Sequence, residues 1–133
     1  MEAIERHAIE DLLSAFAWHA DHLDAQLLGE LFLPQGRLVM GDVELNGAAA
    51  IVTYLGKRFE GTARITRHVW SDLRIVQQSS EEIETTLTQL TYEKAGEDQP
   101  TTARVSDVSD RFTKDVAGRW RFAQRVVKRV LSL

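Results

Sequence analysis

Four long β-rich segments fill the second half of the chain and constrain its fold more than any other feature. They run over Arg64–Gln78, Glu82–Ala95, Thr101–Lys114 and Arg119–Leu131. The stretches between them are short and turn-like, and threonine is dense in the middle two, as a half-exposed sheet prefers. We therefore predict four hairpin-linked strands.

The first half of the chain has helical periodicity instead. From about Ala3 to Asp21 the apolar residues recur at helical spacing, which predicts an amphipathic helix. Its broad apolar face consists of Ile9, Leu12, Leu13, Phe16, Ala17, Ala20 and Leu23. Such a face must be buried, and the rest of the chain offers mainly a sheet to bury it against.

Two further helices and one short strand are predicted before the long strands. Asp24 is a plausible N-cap for a second helix, with Leu27, Leu28, Leu31 and Phe32 on its core side and a stop at Pro34 and Gly36. Arg37–Met40 is a short strand, residues 41–47 form a turn, and Ala48–Phe59 is a third helix. Because helices precede strands without alternating, we predict one α+β domain over residues 1–133.

The Glu82–Tyr92 segment shows a change of phase. Its apolar positions switch parity from Ile83 and Leu87 to Leu90 and Tyr92. A single extra residue in a strand produces such a switch, so we predict a β-bulge here that sharpens the bend of the sheet.

Composition excludes several classes of function. The chain has no cysteine, which removes disulfides, thiolate nucleophiles and cysteine-ligated zinc. A net charge of −4 argues against nucleic-acid partners. No apolar run is long enough to span a membrane, and Met1–Arg6 lacks the basic head and apolar run of a secretory signal. We expect a cytoplasmic protein with no membrane partner.

Three groups of residues carry a family resemblance. They are Ile9-Glu10-Asp11-Leu12 with Asp21-His22-Leu23-Asp24 and Leu31–Gly36, then Thr66-Arg67-His68 with Asp72-Leu73-Arg74-Ile75, and finally Trp120-Arg121-Phe122 with Arg125. Together they resemble the SnoaL-like branch of the nuclear transport factor 2-like superfamily. That branch includes polyketide cyclases, scytalone dehydratase-like lyases and hexachlorocyclohexane dehydrochlorinase. The resemblance implies a cone-shaped fold, with three N-terminal helices on a strongly curved, mostly antiparallel sheet.

The resemblance also implies a catalytic pair, Asp21 and His68. In dehydratase and dehydrochlorinase members, an aspartate that ends the first helix and the histidine of the Thr-Arg-His motif form a dyad. The pairing is chemically sound, since a neutral imidazole is a competent base near pH 7 and a carboxylate on its other nitrogen fixes the tautomer. The alternative is that each residue has a structural role only.

Four other residues are candidates for substrate binding. Trp70 and Asp72 share a strand face with His68 by the period-two rule, although Trp70 could equally be plain core. Phe16 stands where several catalytic members have a tyrosine, so a hydroxyl donor is missing there. Arg125, with Asp107, could supply polar groups to the pocket, or could form a cross-strand ion pair. The sequence also departs from the family pattern at position 35, in the Leu31–Gly36 turn motif, where Gln stands in place of the usual acid.

No metal or cofactor is predicted. His19 and His22 form an H-x-x-H sequence beside Asp21, but both imidazoles lie on the side of the helix away from that carboxylate, and the H-E-x-x-H spacing of zinc proteases is absent. There is no Gly-rich phosphate loop and no Gly-x-Ser-x-Gly elbow, so nucleotide cofactors and serine nucleophiles have no support.

These observations lead to two hypotheses of function. The first is a cofactor-independent lyase, isomerase or cyclase for a small apolar or aromatic molecule, with His68 as base and Asp21 as its partner. The second is a non-catalytic ligand-binding or dimerisation module of the same fold. In either case we expect a homodimer, because a sheet with one covered face leaves the other face for a second copy.

Overall fold

The computed structural model describes residues 3–133, with side chains from Glu5 onward. The predicted absence of a secretory signal concerns Met1–Arg6, of which Met1 and Glu2 lie outside the described residues. The elements in chain order are α1 (Ala3–Asp21), α2 (Ala25–Gly29), β1 (Phe32–Met40), β2 (Val43–Asn46), α3 (Ala48–Phe59), β3 (Ile65–Gln78), β4 (Glu82–Lys94), β5 (Thr102–Lys114) and β6 (Trp120–Ser132). Within that part of the chain, no helix combines the length and the apolar character needed to cross a bilayer.

The strands form one six-stranded sheet in the order β2-β1-β6-β5-β4-β3. Every neighbouring pair is antiparallel except β1 and β6, which run parallel because the last strand returns beside the first. The helices pack against the concave side of this curved, open sheet. The predicted α+β class and the mostly antiparallel sheet are confirmed.

The core lies between α1 and the inner face of the sheet. Ile9, Leu13 and Phe16 of α1 are buried, as their helical spacing predicts. The Phe16 ring meets Phe122 of β6 edge-on at 5.8 Å, and Phe122 stacks on Phe32 at 5.0 Å. Aromatic pairs at these separations add to the free energy of burial, so this cluster fixes α1 on the sheet.

The second helix is shorter than predicted, and β1 begins earlier. Helix α2 ends at Gly29, and Phe32 is already part of β1, where it pairs with Phe122. Pro34 and Gly36 lie inside β1, where the register against β6 shifts between Phe32 and Arg37. A bulge tolerates a residue without an N–H, so proline does not end the strand. A Cβ on Gly36 would lie 3.0 Å from the Leu33 carbonyl oxygen, so glycine permits this close turn.

The predicted turn over residues 41–47 contains a strand that the sequence interpretation missed. Val43–Asn46 pairs antiparallel with Arg37–Met40 through a hairpin whose loop residues are Gly41 and Asp42. Gly41 has a φ of +59°, the left-handed conformation that tight hairpins require and glycine adopts at little cost. Four residues were too few to show a strand pattern.

The predicted bulge in β4 is wrong. β4 pairs with β5 without interruption, and its inner face alternates regularly through Ile83, Leu87 and the polar residues Gln89 and Thr91. The apolar residue Leu90 lies on the opposite face. The apparent switch of parity arises because the inner face changes from apolar to polar along the strand. Where β4 pairs with β3, the bulges lie in β3, between Ser71 and Arg74 and between Ile75 and Gln77.

Candidate functional site

A cavity of about 340 Å³ lies between the helices and the inner face of the sheet. This is within the size range of small-molecule sites, which are mostly apolar with a few placed polar groups. Its apolar lining includes Phe16, Ala20, Leu23, Leu28, Leu38, Met40, Val43, Leu55, Phe59 and Val127. Its polar lining includes Tyr54, Arg58, Arg64, Thr66, His68, Gln89, Arg104, Ser106 and Arg129.

Asp21 and His68 meet at this cavity. Asp21 is the last residue of α1, and His68 lies near the start of β3. The Asp21 Oδ1 atom is 2.5 Å from Nδ1 of His68, and the Thr66 hydroxyl donates to the same oxygen at 3.1 Å. The other oxygen, Oδ2, accepts the backbone N–H of His68 at 3.0 Å. The structure therefore brings together the two residues that the resemblance implied.

These donors keep Asp21 ionised. Burial raises the pKa of its carboxyl group, but the hydrogen bonds from the His68 ring, the His68 backbone and Thr66 outweigh that effect and lower the pKa below its usual value. A carboxylate only accepts, so Nδ1 of neutral His68 carries the proton and Nε2 has the free lone pair. Within the described part of the chain, Nε2 has no hydrogen-bond partner. His68 lines the cavity, which makes Nε2 its available base.

The docking of α1 along β3 sets this geometry. Beyond the Asp21 contacts, the indole Nε1 of Trp70 donates to Oγ of Ser14 at 3.3 Å, and Arg6 donates to the Leu73 carbonyl at 3.4 Å. The two elements therefore run antiparallel, with three points of attachment. Trp70 shares the inner face with His68 but packs on the core beside α1, outside the cavity lining. Of the two alternatives for Trp70, these contacts favour a place in the core.

Asp72 does not lie on the face that carries His68. It is exposed at the first β3 bulge, with a φ of +58°. The extra residue at this bulge breaks the strict alternation on which its predicted position depended, so the inner face continues at Leu73 rather than Asp72. The prediction that Asp72 shares a strand face with His68 is therefore wrong, and Asp72 is not among the described residues that line the cavity.

Arg125 is also absent from the described cavity lining. It is buried behind two residues that do line the cavity, Phe16 and Gln89. Its side chain is 1% exposed, with Nε 3.6 Å from Oδ1 of Asp110. Its guanidinium stacks 4.3 Å from the Phe16 ring, and Nη2 donates to Oε1 of Gln89 at 3.2 Å. The ion-pair alternative is the better description, although the partner is Asp110; Asp107 is exposed. Burial raises the pKa of Asp110 to about 6, and the charge of Arg125 opposes that rise.

Gln89 is a cavity residue that the sequence interpretation missed. An arginine has no acceptor atom, so its bond to Gln89 identifies the engaged atom as the amide oxygen. The amide N–H groups of Gln89, which is 6% exposed, are then available to a ligand. The signal was present in the sequence, since Gln89 and Thr91 share the parity of Ile83 and Leu87. Polar residues in phase with apolar ones indicate a polar patch on a buried face.

The two histidines of the H-x-x-H sequence lie outside the dyad. His22 is exposed, and its Nδ1 donates to the Trp18 carbonyl at 2.8 Å while its ring stacks on the Trp18 ring at 3.9 Å. Among residues 3–133, no three His, Asp or Glu side chains lie close enough together to hold a metal ion.

The lowered pKa of Asp21 predicts a loss of stability in acid. A carboxyl group with a depressed folded-state pKa stabilises the fold above its unfolded pKa, and that stabilisation is lost as the pH falls through the folded-state pKa. We expect Asp21→Asn to cost about 1–3 kcal/mol of unfolding free energy at pH 6, since a buried hydrogen-bond network loses its charge. The difference from the parent should shrink below about pH 4.

Urea titrations at pH 6 and pH 3 measure this difference. Asp42→Asn, in the exposed β1–β2 turn, is the matched control and should behave as the parent does at both pH values. A deficit for Asp21→Asn that is equal at both pH values would contradict the prediction.

The chain is similar to known proteins both in sequence and in fold. A sequence profile of the SnoaL-like domain matches residues 1–126. No curated protein sequence matches the chain. Among solved structures, a protein provisionally named as a scytalone dehydratase, from Novosphingobium aromaticivorans, is similar with a TM-score of 0.86 at 21% identity, over 98% of this chain and 87% of that chain.

Two further structures are similar to a comparable degree. A protein from Catenulispora acidiphila, solved in complex with S-DNPA, gives a TM-score of 0.83 at 20% identity, over 96% of this chain and 95% of that one. A type 2 hexachlorocyclohexane dehydrochlorinase, LinA, gives a TM-score of 0.85 at 15% identity, over 98% of this chain and 88% of that one. These likenesses establish the nuclear transport factor 2-like cone fold. Since the profile match spans nearly the whole sequence, the chain belongs to the SnoaL-like domain family.

Proposed function

We propose that this protein is a cofactor-independent lyase, isomerase or cyclase that acts on a small, largely apolar or aromatic molecule. The observation that carries the proposal is the Asp21–His68 pair, 2.5 Å apart, at the wall of an apolar-lined cavity of about 340 Å³. A buried carboxylate that holds Nδ1 leaves Nε2 as a base facing bound ligand. This arrangement suits removal of a proton from carbon.

In the proposed reaction, His68 Nε2 takes a proton from a substrate carbon. The C–H electron pair then forms a carbon–carbon double bond as a halide leaves the adjacent carbon, or as a hydroxyl group leaves as water with the proton that the imidazolium returns. In the other reactions the pair delocalises into a neighbouring carbonyl before isomerisation or ring closure, and the imidazolium returns its proton to the product. Asp21 stabilises the imidazolium that forms, as carboxylates do in other histidine dyads. Thr66 and the His68 backbone hold the carboxylate in place.

Gln89 is the second polar group in this proposal. Its amide N–H groups would donate to the substrate oxygen or leaving group on which negative charge develops. Arg125 fixes the orientation of this amide from below and so acts as a positioning residue. The names of two structural neighbours, a dehydrochlorinase and a provisional dehydratase, are consistent with elimination chemistry.

Proton exchange at carbon tests this proposal whatever the product is. Small aromatic and polycyclic ketones, alcohols and halides are incubated with the protein in D₂O, and proton NMR follows both product formation and loss of signal at acidic carbons. A general base exchanges the proton that it abstracts, so we expect deuterium incorporation or turnover with the parent and neither with His68→Ala. Equal exchange by both proteins would contradict a role for His68.

The alternative function is a non-catalytic ligand-binding module. One observation favours it, because Phe16 lines the cavity without the hydroxyl that several catalytic members place there. Tight binding of a ligand that is unchanged on prolonged incubation, with the same affinity in the parent and in His68→Ala, would support this alternative.

We also propose a homodimer formed through the outer face of the sheet. One apolar row crosses four paired strands there, with Val69 opposite Leu90, Leu90 opposite Val105, and Val105 opposite Leu131. Val69 and Leu131 are 51% and 58% exposed, which is unusual for a row of aliphatic side chains. A second copy that placed the same row against it would bury both.

Light scattering at micromolar concentration tests this assembly. We expect a mass twice that of the 15.0 kDa chain, and a shift toward the single-chain mass in Val69→Asp/Leu131→Asp. Val116→Asp, in the exposed β5–β6 turn, is the control and should leave the mass unchanged. A single-chain mass for the parent protein would contradict the proposal.

A further inference from the structure

The cavity has an unusual charge distribution. Four of its described lining residues are arginines, Arg58, Arg64, Arg104 and Arg129, and none is Asp or Glu. Arg58 and Arg129 are exposed, whereas the side chains of Arg64 and Arg104 are only 23% and 24% exposed. The proposed reaction uses none of these guanidinium groups.

The carboxylates nearby do not balance this charge. Glu93, at the end of β4, contacts both half-buried arginines through one oxygen, Arg64 Nη1 at 3.4 Å and Arg104 Nη1 at 3.3 Å. Among the described residues, no carboxylate lies within ion-pair distance of Arg58 or Arg129. Asp21 does not pair with these arginines, because His68 engages it. Among the described ion pairs, Glu93 is therefore the one carboxylate that contacts any of the four arginines.

The arginines also repel one another. Burial lowers the pKa of Arg64, and the positive charges of Arg58 and Arg104 lower it further, while Glu93 opposes them. Holding like charges together costs free energy, and an anion placed among them would remove that cost. The excess of positive charge in the cavity lining therefore favours the binding of an anionic ligand.

The strand register relates these arginines to the proposed base. His68 pairs with Thr91 and Thr91 with Arg104, so one row across β3, β4 and β5 carries both His68 and Arg104. Their backbones are two strand spacings apart, roughly 10 Å. Arg129 of β6 pairs with Ser106, one step along the inner face of β5 from Arg104. One bound molecule of one or two rings spans this distance.

We propose that the cavity binds an aromatic or apolar molecule with an anionic group, a carboxylate or a phosphate, which the four arginines hold on the side of the cavity where Arg58 and Arg129 are exposed. Guanidinium groups bind both anions through paired N–H donors. The inference rests on the proposed function, since it names the substrate class of the same cavity. It places the acidic C–H near Nε2 of His68 and the anionic group on the arginines, within the span of one or two rings.

Three probes of matched shape test this inference by isothermal titration calorimetry. They are 2-naphthoate, 2-naphthyl phosphate and the neutral 2-naphthamide, each titrated at 20 mM and at 500 mM NaCl. At low salt we expect at least one anion to bind about tenfold more tightly than the amide, and the advantage to shrink at high salt because ions screen exposed charges. The tighter of the two anions identifies the preferred headgroup.

Variants locate the anion. Arg58→Gln/Arg129→Gln should remove most of the advantage of the anion over the amide while the amide binds as before. Arg119→Gln changes the net charge by one at an exposed arginine outside the cavity, and it should bind all three probes as the parent does. Far-UV circular dichroism checks that the variants keep the fold.

Two outcomes would overturn the inference. Equal affinity of the parent for the amide and both anions, or no binding of any probe, would show that the arginines do not select an anion. An anion advantage that survives in Arg58→Gln/Arg129→Gln would also refute the role assigned to Arg58 and Arg129. Neither result bears on His68, whose role is tested by proton exchange and turnover, so failure here is distinguishable from failure of the proposed function.

Discussion

Asp21→Asn is expected to reduce turnover by about 100-fold to 10,000-fold while the fold and the cavity stay intact. The reason is the tautomer of His68. The carboxylate accepts the proton on Nδ1, so Nε2 keeps its lone pair. An asparagine can instead turn its N–H groups toward Nδ1, which moves the ring proton to Nε2. The imidazole then has no free lone pair facing the substrate.

His68→Ala should abolish turnover, because no other described histidine lines the cavity. Parent activity should fall in acid, since a protonated ring cannot accept a proton. The lowered pKa of Asp21 keeps its carboxylate charged as the pH falls. The measurement is kcat and KM against pH for a substrate found in the exchange screen.

His22→Ala is the matched control for these variants. It removes a second imidazole from the same end of α1, but His22 is exposed and stacks on Trp18 outside the cavity. We expect its kcat and KM to equal those of the parent. If His68→Ala and Asp21→Asn also turned over substrate at the parent rate, the dyad would not be the catalytic pair, and the binding-module alternative would gain support.

Arg125→Met is expected to destabilise the fold by about 3–5 kcal/mol at neutral pH, the second large effect. Arg125 and Asp110 are both buried, and the methionine would leave the carboxylate without its counter-charge. Gln89 would also lose its partner, and the rings of Phe16 and Phe122 would lose the stacked guanidinium. Urea titration at pH 7.5 measures the change in unfolding free energy.

The sign of the pH effect follows from the pKa of Asp110. Burial raises that pKa to about 6, above the ordinary value of an aspartate. The protonated carboxyl group of Asp110 therefore contributes its full stabilisation of the fold below about pH 4, and this stabilisation is lost as the pH rises through 6. Without Arg125 the carboxyl group should hold its proton to still higher pH. The deficit of Arg125→Met should therefore be smaller at pH 5 than at pH 7.5.

Two further variants separate charge from packing. Asp110→Leu/Arg125→Met replaces the ion pair with apolar side chains and should recover most of the stability lost in Arg125→Met. Arg119→Met, at an exposed arginine, should change the free energy of unfolding by less than about 0.5 kcal/mol. A double variant as unstable as Arg125→Met, with the same deficit at both pH values, would show that the buried charge is not the cause.

The sequence alone determined the elements with long, regular patterns. The apolar spacing of α1 and α3 and the four β-rich segments predicted most of the described boundaries, because amphipathic periods are written directly in consecutive residues. The resemblance of three motifs added the fold family and the pairing of Asp21 with His68. These two residues are 47 positions apart, and no local pattern relates them.

Only the tertiary structure decided which side chains reach the cavity. One extra residue at the β3 bulge turned Asp72 out to solvent, and the docking of α1 placed Trp70 against Ser14 instead of a ligand. Arg125 is buried outside the cavity lining, where it pairs with Asp110, its register partner on β5. The four arginines that line the cavity come from α3, β5, β6 and the segment before β3, so their convergence depends on sheet register and helix docking rather than on local sequence.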